Sequence, residues 1–182
     1  MEDQPGSQGR SLTDLKRLIL LRWHWDIDAL SDAGLLAAGW RKKFGFNSTP
    51  FTSTIVFVVR KGNPKQIKTW DDLVKPGISV ITPNPKTSGG GRWKYLAAWG
   101  YKQKQTGSAE QAKNFVKALY RNVPLLDTGA RCSTMTFSQR GYGDVLLAWE
   151  NEAHLIQKEF SADGFEIVFP AQSILAEPSV WP

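Results

Sequence analysis

The chain of 182 residues has a single cysteine, Cys132, and only two histidines, His24 and His154. One thiol cannot close an internal disulfide or build a cysteine metal cluster, and two imidazoles argue against a histidine-rich metal site. No metal and no cofactor are therefore expected. No apolar run approaches the roughly 20 residues that span a bilayer, which argues against an integral membrane protein. A basic start, a long apolar core and small residues before a cleavage point do not occur in that order. Residues 15–21 form only a short apolar patch, so either the chain is intracellular or its signal lies outside this sequence. No G-x-S-x-G elbow and no serine–histidine–aspartate order on such an elbow is found, so the chain does not read as an enzyme. There is no internal repeat and no low-complexity tract.

What is present is ordinary for a folded domain: 41% hydrophobic and 22% charged residues, near globular averages. Eight tryptophans are many for this length and point to core and groove packing. The net charge of +6 is uneven. Residues 1–68 carry 11 basic against 6 acidic side chains, and residues 69–182 carry 12 against 11. A basic head on a nearly neutral body favours weak association with anionic surfaces. Nucleic-acid binding is thus a rival reading, but the basic residues cluster in the least patterned part of the chain. Residues 1–10 are polar and turn-rich, and residues 178–182 stop after a strand-like run, so both ends read as cut.

Between them the pattern alternates. Residues 52–60 (TSTIVFVVR) predict a buried strand. Residues 69–74 predict a short helix capped by Thr69, and 78–82 a strand. A helix from Ser88 to about Tyr101 would bury Trp93, Leu96, Ala97 and Tyr101. The helix over 108–121 would bury Ala112, Phe115, Val116 and Leu119. A strand edge at 124–127, a helix over 131–140, a strand at 144–149, a helix over 150–160 and a strand at 165–169 follow. This order predicts an α/β fold with an open, mainly parallel sheet flanked by helices.

Three strand–helix junctions have the chemistry to hold an anion. The first, residues 84–93 (NPKTSGGGRW), joins a strand to a helix. Its glycines let the backbone approach a ligand, and the first N–H groups of the helix lack internal partners. Ser88 can cap the helix, donate to a ligand, or both. It is neither a Walker A loop nor a G-x-G-x-x-G turn, and a plain connector remains the other reading. The second, residues 127–131 (DTGAR), would offer the Ala130 N–H, or would be only a helix start capped by Asp127 or Thr128. The third is residues 144–151, where Trp149 closes a strand with an indole N–H that can only donate, or is simply a core tryptophan.

The segments STIVFVVRKGNPKQI, VITPNPKTSGGGRWKYLAAWGY, FVKALYRNV, LLDTGAR, GDVLLAWENEA and FEIVFPAQSILAEPSV closely resemble the periplasmic sulfate-binding proteins. Those are the substrate-binding components of bacterial sulfate/thiosulfate ABC transporters. The resemblance runs from about Trp25 to Val180. It implies a periplasmic-binding-protein-like (type II) fold of two hinged lobes, with one lobe largely complete here and the other partial. The expected organisation is an atypical, poorly ordered head over 1–24, a partial first lobe and crossover over 25–59, the ligand-binding α/β lobe over 60–170, and a return segment over 171–182. A truncated or frameshifted gene would give such a chain.

The resemblance also implies the ligands of a sulfate or thiosulfate anion: Ser88, Gly89 and Gly90 of the SGG turn, the backbone N–H of Ala130, and the indole of Trp149. Arg92 and Arg131 are expected behind the turns, paired to carboxylates or carbonyls. Gly91 and Cys132 stand where alanine- or glycine-like residues are expected. The implied partners are the permease and ATPase of an ABC importer, the implied location is the periplasm, and the expected state is a monomer without nucleic acid. The alternatives are a non-functional fragment that keeps the fold of one lobe, or a weak general anion-binding or nucleic-acid-binding domain.

Overall fold

A computed structural model of the chain describes residues 20–36, 39–160 and 164–181. The expectation of a poorly ordered head falls, over residues 1–19, outside the described residues. The rest divides into two compact units, a larger one over residues 53–175 and a smaller one made from residues before and after it.

In the smaller unit, Leu20–Trp23 (β1) leads into His24–Asp32 (α1). A 3-10 turn and Gly45–Ser48 (α2) follow, with Phe46 and Asn47 in the left-handed region at φ 55° and 57°. The Ser48 hydroxyl donates to the Trp40 carbonyl at 2.8 Å and fastens this turn.

The larger unit begins with Ser53–Arg60 (β2), a β-branched run buried along nearly its whole length. It has a strand on either side, and the larger unit starts at residue 53. Residues 70–74 form a single 3-10 turn rather than an α-helix. Val80–Pro83 (β3) precedes Gly89–Thr106 (α3) and Ala109–Arg121 (α4). Gly107, at φ 69°, ends α3 in the left-handed conformation that favours glycine, so the helix runs five residues past the expected Tyr101. Leu126–Asp127 (β4), Ala130–Ser138 (α5), Val145–Trp149 (β5), Glu150–Glu159 (α6) and Phe165–Val168 (β6) complete the alternation. Leu175–Ala176 (β7) and Pro178–Trp181 (β8) follow, and β8 pairs antiparallel with β1.

The five main strands lie in the order β4-β3-β5-β2-β6. β3 runs parallel to β4 and β5, while β2 runs antiparallel to β5 and β6. The sheet is therefore mixed rather than mainly parallel: two of its four pairings are parallel and two antiparallel, because β2, next to the β6 edge, runs against its neighbours. Successive side chains of a strand alternate between faces. Val56 and Val58 of β2 join Ile81, Leu146, Phe137, Ala153 and Ile156 in a core on the side of α5 and α6. Phe57 meets the Trp70 ring edge-on, with centroids 5.0 Å apart. Helix α4 buries Ala112, Phe115, Val116 and Leu119 as its periodicity dictates. Helix α3 departs from expectation. Leu96 is 42% exposed and Lys94 only 2%. Trp93 and Ala97 are buried as expected, and the buried residues also include Gly91, Lys94 and Ala98, because the small residues let α3 lie close to its neighbours α4 and β3.

Candidate functional site

The strand order brings the three junctions together. β4, β3 and β5 are neighbours running the same way, with Pro83 opposite Asp127 and Ile81 opposite Leu146. Their carboxyl ends therefore lie at one edge of the sheet, where ligands of open α/β sheets bind. Helices α3, α5 and α6 each start there, after residues 83, 127 and 149. Each of these starts carries unpaired N–H groups and the positive end of a helix dipole.

The first junction is fixed by its own backbone. The Ser88 N–H donates to the Asn84 carbonyl at 2.9 Å, and the Lys86 N–H to the Asn84 side chain at 2.9 Å. The Asn84 N–H donates across to the Asp127 carbonyl at 2.8 Å, and the Thr87 hydroxyl to the Thr128 carbonyl at 3.0 Å. The first and second junctions are thus tied to each other. Ser88 is buried and caps α3, its Oγ accepting from the Gly91 N–H at 3.2 Å. Accepting uses a lone pair and leaves the hydroxyl proton to donate.

Gly90 connects the first junction with the third. A Cβ at Gly90 would lie 3.3 Å from Trp149 Nε1 and 3.7 Å from Ser88 Oγ. The indole nitrogen, the hydroxyl and the open Gly90 backbone thus share one small region. Trp149 is 6% exposed, and its ring meets Trp93 edge-on with centroids 6.0 Å apart. The Ser53 hydroxyl donates to the Asn151 side chain at 3.0 Å and holds the start of α6 against β2. Gly91 is closely fitted as well: a Cβ there would approach the Pro83 carbonyl oxygen to 2.8 Å.

The second junction differs from its expectation. Neither Asp127 nor Thr128 caps α5; the cap residue is Gly129, with no side-chain bond. Asp127 turns inward and accepts from the Thr136 hydroxyl at 3.1 Å, and Thr128 faces Cys132 Sγ at 3.7 Å. Ala130 opens α5 as expected. Arg92 donates to the Pro85 carbonyl at 3.1 Å. Arg131 lies 3.9 Å from Glu159, with both side chains largely exposed. A contact of that length and exposure contributes little.

Sequence reading missed two charged groups. Lys94 is buried, and burial lowers its pKa to about 8 against the raising field of Glu152. The available signal was phase: Gly90, Gly91, Lys94, Ala97 and Ala98 are spaced by three and four residues, one stripe of a helix. Among the described residues no group of three or more His, Cys, Asp or Glu could hold a metal.

The model of the family described as bacterial extracellular solute-binding protein matches residues 25–182. A sulfate-binding protein of Salmonella typhimurium is 58% identical over 164 residues, which cover 90% of this chain and 50% of the relative. A thiosulfate-binding protein of Pseudomonas aeruginosa is 51% identical over 176 residues, 95% of this chain and 53% of the relative. Among solved structures, a sulfate-binding protein of Mycobacterium tuberculosis superposes with a TM-score of 0.78 at 35% identity, covering 89% of this chain and 56% of the other. The chain spans about half the length of the curated relatives it matches.

Proposed function

Because the chain belongs to the bacterial extracellular solute-binding proteins, we propose that its larger unit forms one wall of a site for a fully ionised oxyanion, sulfate or thiosulfate. The observation that carries this reading is the meeting of Ser88 Oγ and Trp149 Nε1 over Gly90. The donors are the hydroxyl of Ser88, backbone N–H groups of Gly89, Gly90 and Ala130, and the indole of Trp149. All are neutral. The dianion's charge is spread over three helix starts, each worth a few tenths to about 1 kcal/mol and more when buried.

The donor set also chooses among anions. Sulfate near neutral pH only accepts hydrogen bonds. Hydrogen phosphate retains a proton that needs an acceptor, and a buried unpaired group costs roughly 1–3 kcal/mol. The proposed donors include no carboxylate; of the carboxylates in the three junctions, Asp127 accepts from the Thr136 hydroxyl through Oδ1 and Asp144 from the Ser79 N–H, and Glu150 opens α6. In the cell the role would be capture of the anion in the periplasm and delivery to the permease and ATPase of an importer, a binding role and not catalysis. The resemblance implies further donors from a second lobe, so this chain alone binds weakly.

Titration of the isotope-labelled chain with sulfate, followed by 1H–15N spectra, tests the reading. Gly89, Gly90, Ala130 and the Trp149 indole should shift together at millimolar sulfate or thiosulfate, and less with hydrogen phosphate. A spectrum in which these signals stay still while others move, or none move, would overturn it.

A further inference from the structure

We propose that Ser53 and Asn151 form a clasp that positions the Trp149 indole for the anion. The inference rests on the oxyanion reading above and deepens it. Of the two side-chain donors in that reading, the Ser88 hydroxyl can turn about its own C–O bond to meet a ligand. The indole cannot. Its single N–H lies in the plane of a rigid ring, and a hydrogen bond weakens steeply once it bends below about 120°. The aim of that N–H is therefore set by whatever fixes the ring and the backbone at 149.

The sheet fixes that backbone from one side. β5 pairs with β2 from Val145 opposite Val59 to Trp149 opposite Ile55. After Trp149 the chain leaves the strand, and Trp149 precedes α6 without a side-chain cap bond. Ser53 and Asn151 stand two residues beyond that last pair, one on each chain segment. Side chains two apart on a strand share a face, so Ser53 lies on the face of β2 that carries Ile55. The Ser53 hydroxyl donates to Asn151 Oδ1 at 3.0 Å. This bond continues the pairing by one step where the backbone ladder has ended. Ser53 is 5% exposed and Ile55 fully buried, so water competes little for the hydroxyl.

The strand end that bears the clasp is itself anchored. The Thr54 hydroxyl donates to the Ile174 carbonyl at 3.0 Å, and the Ser173 hydroxyl to the Ile55 carbonyl at 2.8 Å. Successive strand residues point to opposite faces. Ser53 thus grips the start of α6, while Thr54 grips the segment at 173–174. On the ring side, Trp93 meets Trp149 edge-on, and a Cβ at Gly90 would lie only 3.3 Å from Trp149 Nε1. A shift of the indole by a few tenths of an ångström changes the region it shares with Ser88 Oγ. Ser53 and Asn151 are positioning residues in this account: they act on the anion through Trp149.

A double-mutant cycle on the 182-residue chain tests this, with sulfate affinity read from 1H–15N titrations at constant ionic strength. Ser53→Ala should weaken sulfate binding by about threefold to tenfold, part of the worth of one hydrogen bond to a charged group. In Trp149→Phe, which keeps an aromatic ring but has no indole donor, Ser53→Ala should cause no further loss. Asn151→Ala, at an exposed position, should follow the same pattern. A clasp that only stabilises the fold would lower the melting temperature of Ser53→Ala with sulfate affinity unchanged, or weaken binding by the same factor in both backgrounds. In the wild type alone, the Asn151 side-chain amide should shift with sulfate along the same saturation curve as the Trp149 indole, which keeps the test independent of any variant's folding. Equal losses in the two backgrounds, an unchanged affinity in Ser53→Ala, or an Asn151 amide indifferent to sulfate overturn this inference and leave the oxyanion reading standing. Absence of any sulfate response at Gly89, Gly90, Ala130 and the Trp149 indole overturns both.

Discussion

Glycine at 143 is demanded by conformation and by space. Its φ is +79°, and a Cβ would fall 2.4 Å from Ile81 Cγ1, inside the core. Gly143→Ala should cost about 2–4 kcal/mol in urea unfolding, the sum of left-handed strain and overpacking; a loss under 1 kcal/mol would mean that β3 yields easily. Ser88 separates capping from ligand binding. Ser88→Gly keeps most of the cap, at a few tenths of a kcal/mol, yet removes the hydroxyl donor. Sulfate affinity should fall by about tenfold to a hundredfold, the worth of one hydrogen bond to a charged group, with the melting temperature almost unchanged. Equal losses in both would show that Ser88 is only a cap. At this scale the sequence was informative where chemistry is local: the strand–helix position of the glycine-rich turn and the Ser88 cap on α3 were legible. That Trp149 would reach Gly90 was not legible, because it depends on β5 lying beside β3.

Between residues and the sheet, short elements depend on single polar contacts. The turn over Trp70–Val74 is held by Asp72, whose carboxylate accepts from the Lys68 and Thr69 N–H groups at 2.9 and 2.8 Å and pairs with Lys75. Burial pushes its pKa up, but the Lys75 ammonium and these N–H donors overcome that and hold it below the ordinary carboxylate range. A depressed folded pKa gives stability that is present above the unfolded value near 3.9 and is lost as pH falls below it. Asp72→Asn should therefore destabilise the chain by about 1–2 kcal/mol at pH 7 and bring its unfolding midpoint toward wild type at pH 2–3. A deficit that persists undiminished in acid would assign the effect to packing. Strand positions were legible because β-branched runs such as TIVFVV have few other uses. The burying face of α3 was legible only in part. Trp93 and Ala97 are buried as expected, but Leu96 is exposed and Lys94 is buried, because close packing against α4 selects the small residues around Lys94. The failed caps at Asp127 and Thr128 have a similar cause: Thr136, nine residues on from Asp127, takes the carboxylate instead.

The larger unit contains every contact the candidate site uses. The β4-β3-β5-β2-β6 pairings, the three junctions and the Ser53–Asn151 bond all fall within residues 53–175. At about 120 residues this is an ordinary domain length, able to bury a core of its own. A polypeptide of residues 53–175 should thus fold cooperatively. Its sulfate-induced shifts at Gly89, Gly90, Ala130 and Trp149 should match those of the 182-residue chain. Sulfate at ten times its dissociation constant should add about 1.4 kcal/mol to the stability of either, by mass action on the folded state, and thiosulfate a similar amount. Calorimetric melting with and without sulfate, using chloride at equal ionic strength as the control, measures this. If residues 53–175 fold but lose the sulfate response that the longer chain keeps, the smaller unit must contribute donors, and the site is not the property of one wall. If both respond equally, what remains of the relatives' length supplies affinity and closure, while the choice of a proton-free oxyanion belongs to the three junctions at this sheet edge.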